Sequence, residues 1–130
     1  MTTPYSYSSE VYTQKTGFMG EDKDCSVRAY ATAACVSYEH AHLLFSKHGR
    51  RYGHSTPGSV THGVLSQEFP GYKREFCRHL GIKLKTWVDQ HSKGHYIVHT
   101  SKHALAVIDG VIHDWKVGPH RIVVSYVRLI

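Results

Sequence analysis

The sequence predicts an α+β domain in which helices come first and an antiparallel sheet follows. Two changes of pattern carry this. Between Asp24 and Leu80, apolar residues recur at helical spacing, punctuated by capping residues and glycines. From Tyr96 onward the period becomes two, in the β-branched and aromatic runs YIVHT, ALAVI, VIHDW and RIVVSYVRLI. A third signal, Asp109-Gly110 between two such runs, marks a type I′ hairpin turn. At 130 residues the chain fits one domain, with residues 1–23 as an amino-terminal arm and 24–130 as a single α+β unit.

Residues 1–23 are polar and rich in Ser, Thr and Tyr, and read as an irregular arm or a short strand packed on the domain. Asp24 offers an N-cap to an Ala-rich helix over Cys25–Cys35. Ser37 offers a second cap to Tyr38–His48, where Ala41, Leu44 and Phe45 form an apolar stripe and Gly49 gives a stop. A basic Gly/Pro loop covers residues 50–58. Helical turns are predicted over 59–68 and 72–80, divided by Pro70-Gly71 and ended by Gly81. IKLK alternates as a short edge strand, Thr86 caps one or two helical turns, and Gly94 closes them before the sheet begins.

Composition excludes several classes. With 41% hydrophobic and 20% charged residues the chain is neither disordered nor membranous. No apolar run approaches the length of a membrane span. MTTPYSYSSEVYTQK lacks the basic start and apolar stretch of a signal peptide, so the expected location is the cytoplasm. Three cysteines, Cys25, Cys35 and Cys77, are an odd count and read as thiols. A net charge of +6 permits an acidic partner such as nucleic acid, although a solvated basic surface explains it equally well.

His91, His95, His99 and His103 recur at every fourth position. Gly94 interrupts any helix through them and YIVHT prefers a strand, so they do not share a helical face. No HExxH, CxxC or CxxH spacing supports a metal, and no cofactor motif is present. His40, His42, His48, His54 and His62 read as solvated.

Three residues combine into a chemical constellation. Cys25 opens a helix, where unpaired amides and the dipole favour thiolate and can draw a cysteine from about 8.5 into a range of roughly 3.5–7.5. Cys35 and Cys77 instead fit small buried residues in mid-helix. With the turn on Asp109-Gly110, Ile108 pairs with Val111 and Val107 with Ile112. His103 and Asp114 then become diagonal neighbours on one face, with backbones roughly 7–8 Å apart. A nucleophile, an imidazole and an orienting carboxylate follow in that order along the chain.

DCSVRAYATA and GHYIVHTSKHALAVIDGVIHDW, together about a quarter of the chain, resemble the papain-like cysteine peptidase fold. They are similar to the peptidases that trim double-glycine leader peptides, and to small phage-encoded proteins with a DCxxRA start and a HAxAVxDGxxxD finish. The resemblance implies a nucleophile at Cys25, a base at His103 and an orienting residue at Asp114. Two departures matter. The family's oxyanion glutamine lies a few residues before the nucleophile, whereas here Gln14 is the only upstream Gln; and the chain is about half the size of a full papain-like enzyme. With no Asn in the chain, the third member falls to Asp.

Arg28 and Trp115 are substrate-binding candidates, although pairing with Asp24 or Glu21 and core packing are the plainer readings. The expected function is a cysteine-dependent hydrolase acting on a protein or peptide through an acyl-enzyme thioester. The alternative is a catalytically weak or inactive papain-like scaffold, of the phage-encoded kind, that binds a host protein or nucleic acid through its basic surface.

Overall fold

The computed structural model describes residues 6–8, 21, 23–114 and 121–130. Its elements run β1 (Ser6–Ser8), α1 (Cys25–Ala34), α2 (Tyr38–Lys47), α3 (Gly58–Glu68), β2 (Arg74–Phe76), a 3₁₀ turn (Arg78–Leu80), α4 (Leu84–Gln90), β3 (His95–Thr100), β4 (His103–Ile108), β5 (Val111–His113) and β6 (Ser125–Arg128). The strands form one sheet in the order β1-β5-β4-β3-β6-β2. All pairings from β5 to β2 are antiparallel, while β1 joins β5 in parallel.

The fold class is thus mixed α+β, with a sheet wider than the sequence suggests. The short strand read into the arm is β1, and it extends the sheet beyond the hairpin. Of residues 72–80, predicted as helical turns, only Arg78–Leu80 forms a 3₁₀ turn: Arg74–Phe76 pairs with β6, since the open edge of that strand offers main-chain partners that override weak helical spacing. IKLK contributes only an isolated bridge, Lys83 to Ile122, before α4 starts at Leu84. Leu84, Trp87 and Val88 then bury one helical stripe, so α4 begins two residues before the Thr86 cap that its sequence offers.

The sheet is covered on both faces. On one, α1, α2 and α3 pack against Ile97, Ala104, Ala106 and Val127. On the other, α4 packs against Tyr96, Val98, Leu105, Val107 and Ile112. This explains why HALAVI lacks polar alternation: its alanines face α1 and its larger residues face α4. Ala29 and Ala33 of α1 are fully buried beside that alanine row, so helix and strand approach closely. Ala106→Val should therefore overpack the seam and cost about 1–3 kcal/mol, read as a lower urea midpoint at unchanged slope.

The hairpin has the expected register, Ile108 to Val111 and Val107 to Ile112. Asp109 and Gly110 have φ of 46° and 81°, the left-handed pair that a type I′ turn needs. Gly94, φ 103°, leads into β3 where an added Cβ would lie 3.0 Å from the Ile130 carbonyl oxygen. The four spaced histidines separate as expected: His91 ends α4, His95 and His99 lie on β3, and His103 heads β4.

A buried carboxylate fastens the segment before α1. Glu21 accepts from Arg50 Nη1 at 2.7 Å and Nη2 at 3.0 Å, from His42 Nε2 at 2.6 Å and from the Gly53 amide at 2.7 Å. His42, expected in solvent, is buried on this carboxylate. None of the helices among the described residues is long and apolar enough to cross a membrane.

Candidate active site

α1 places Cys25 at its first position. The preceding Asp24 occupies the cap position, but its side chain makes no capping bond. Its Oδ2 instead takes Arg28 Nε at 2.9 Å and the Tyr38 hydroxyl at 2.6 Å, because Arg28 lies one turn on along the same helix face. The first-turn amides of α1 thus lack that side-chain acceptor, and the Arg28 cation offsets the charge of Asp24 beside the sulfur.

β4 opens with His103, and Asp114 follows directly after β5. His103 Nε2 donates to Asp114 Oδ1 and Oδ2, each at 2.8 Å, and the carboxylate is buried. An imidazole has two nitrogens, so this bond leaves Nδ1 for another partner. Cys25 and His103 line the same groove and act on each other's charge, and the Ala104 amide and the Ser26 side chain also act on the sulfur. Cys25, His103 and Asp114, far apart in sequence, are therefore brought together.

Their electrostatics are complementary. Burial pushes the Cys25 thiol up, but the bonds from His103 and Ala104, the imidazolium charge and the Ser26 bond outweigh it and leave the thiol below its ordinary value. Burial disfavours charge on His103 as well, yet the bonds to Asp114 and Cys25 and the charges behind them raise it to about 9. Each group thus favours the charged form of the other, thiolate beside imidazolium.

The pair lies on a groove of about 670 Å³. Besides Cys25 and His103, its wall includes Thr56, Arg74, His99, Thr100 and Lys102. Sequence reasoning passed over these. Arg74 stood in a predicted helix, and only the long-range pairing of β2 with β6 brings it to the groove, while Lys102 reaches it from the tight connection between β3 and β4. His99 had its place in the fourfold spacing as a signal, but not one that pointed to a groove.

The remaining sequence candidates fall elsewhere. Arg28 is buried, bonded to Asp24 and stacked over Tyr38 with 5.0 Å from its guanidinium carbon to the ring centroid, and it does not line the groove. A buried guanidinium requires such a partner, and the structural pairing with Asp24 supplies it. Gln14 and Trp115 lie outside the described residues. Cys35 is not a buried mid-helix residue. It is exposed at the α1 C-cap in left-handed backbone, φ 59°, with Sγ 3.7 Å from His95 Nδ1. Cys77 is buried, between β2 and the 3₁₀ turn rather than within a helix, and burial alone pushes its thiol up. No protein-family pattern, curated protein or solved structure matches the chain.

Proposed function

We propose that this chain is a papain-like cysteine hydrolase acting on an amide, isopeptide or thioester bond of a protein or peptide. The observation that carries the reading is His103, bonded to Asp114 through Nε2 and lining an open groove together with Cys25.

The Cys25 thiolate attacks the carbonyl carbon, a C–S bond forms, and the carbonyl electrons move to oxygen. The backbone amide of Cys25, at the first turn of α1, is one donor for that oxyanion. As the tetrahedral species collapses, the C–N bond breaks and His103 gives its proton to the departing amine. Neutral His103 then takes a proton from water while the oxygen attacks the thioester. Expulsion of the Cys25 thiolate completes the cycle and leaves His103 as imidazolium. Throughout, Asp114 holds the ring by Nε2 and stabilises its charged form.

p-Nitrophenyl acetate tests this without knowledge of the natural substrate. One acetyl group should accumulate on Cys25, seen by intact and peptide mass spectrometry, and disappear after the ester is removed. Acetyl spread over Cys35 and Cys77, or none on Cys25, would contradict the reading and favour a binding scaffold.

A further inference from the structure

The groove carries a chemical preference of its own. Its charged wall residues are Lys23, Arg74, Lys102 and His103, and among the described residues no carboxylate lines it. Arg74 forms no ion pair among the described residues, and its Nε is buried without a partner. On other wall residues Thr56 Oγ1, His99 Nδ1 and Thr100 Oγ1 are likewise buried and without a hydrogen-bond partner among the described residues. Buried polar atoms are ordinarily satisfied. Lys23, Arg74 and Lys102 thus give the groove a positive wall that no carboxylate among the described residues offsets.

Two more features have the same sign. Gly58 and Thr61, from the first turn of the 11-residue α3, line the groove, and that turn has neither a side-chain cap nor an acidic residue. Burial and the neighbouring charges of Arg74 and His103 hold His99 down at about 4, so its ring is neutral and can donate a hydrogen bond without needing a counter-charge. Phe76, 67% exposed, adds an apolar shelf beside Arg74.

We propose that the groove selects peptides bearing a carboxylate close to the scissile bond, held by the Arg74 guanidinium. This rests on the hydrolase reading and gives its substrate class. A planar guanidinium matches a carboxylate through two parallel hydrogen bonds, which a lysine cannot reproduce. A nucleic acid would also answer to positive charge, but a groove that ends at an acyl-transfer centre and pairs Arg74 with an apolar shelf favours an acidic peptide.

Two alkylating reagents of nearly equal size, iodoacetate and iodoacetamide, separate the questions when Cys25 labelling is followed at low ionic strength. In Arg74→Gln the iodoacetate-to-iodoacetamide rate ratio should fall about 2- to 10-fold relative to the parent, because a single nearby charge is removed and the ratio cancels any change in the thiolate itself. An unchanged ratio overturns the carboxylate proposal. Slow iodoacetamide labelling in the parent overturns instead the hydrolase reading beneath it. Protection assays then identify the source of the carboxylate. Peptide amides carrying Glu in place of Gln should slow labelling if a side chain is read, and free rather than amidated C-termini should do so if a terminus is read. Protection by neither pair, or by single-stranded oligonucleotide alone, overturns the assignment.

Discussion

Replacing His103 with alanine is expected to slow acetylation of Cys25 by p-nitrophenyl acetate at pH 6 by about 10²-fold or more. The reason lies in the balance at the sulfur. Burial raises the thiol, and the imidazole bond and charge are among the main forces bringing it down. Without them burial dominates, and little thiolate exists at pH 6. Asp114→Ala should act through the ring and leave a different signature. His103 is held at about 9 against an ordinary 6.5, with Asp114 the foremost cause opposing burial. Once the carboxylate is gone, the upper limb of the rate–pH profile should move from near 9 toward 6.5. A purely structural role for Asp114 would lower the amplitude and leave that limb in place. Circular dichroism on both variants separates loss of chemistry from loss of fold.

The second large effect concerns stability. Glu21→Gln should destabilise the fold by about 3–5 kcal/mol, because it leaves the buried Arg50 without a charged partner. Burial raises the Glu21 carboxyl, but Arg50, His42 and the Gly53 amide hold it down at about 2, against an ordinary 4.5. A depressed carboxylate contributes stability that is fully present above 4.5 and lost as pH falls toward 2. Urea titrations across pH 5 to 2 should show the parent losing stability steeply, while Glu21→Gln, already lacking that contribution, shows a shallower decline. Parallel curves would contradict this account of the hub.

The readiness of different parts of this fold to be read from sequence follows from the range of the interactions involved. Asp109-Gly110 fixes a turn by backbone sterics alone, and from it the register that brings Asp114 to His103 can be counted residue by residue. Ser37 capping α2 is equally local, its oxygen accepting from the His40 amide at 3.1 Å. Asp24 looked like the same device, yet a carboxylate with Arg28 and Tyr38 in reach serves them instead of the helix amides. Long-range choices were hidden. Arg74–Phe76 became a strand only because β6 had an open edge, and Arg74 thereby reached the groove. The contact of Cys25 with His103 depends on α1 lying close over β4, which the paired alanines of both elements permit but do not announce.

Site-resolved alkylation by iodoacetamide at pH 6 addresses the cysteine–histidine–aspartate assembly most directly, because it needs neither a substrate nor turnover. Cys35 is the exposed thiol and Cys77 the buried one, so accessibility alone predicts Cys35 first. An imidazolium-paired sulfur predicts that Cys25 reacts fastest, and that its advantage vanishes in His103→Ala. If Cys35 outpaces Cys25, or if all three react slowly alike, the sulfur is an ordinary thiol and the proposed chemistry is wrong.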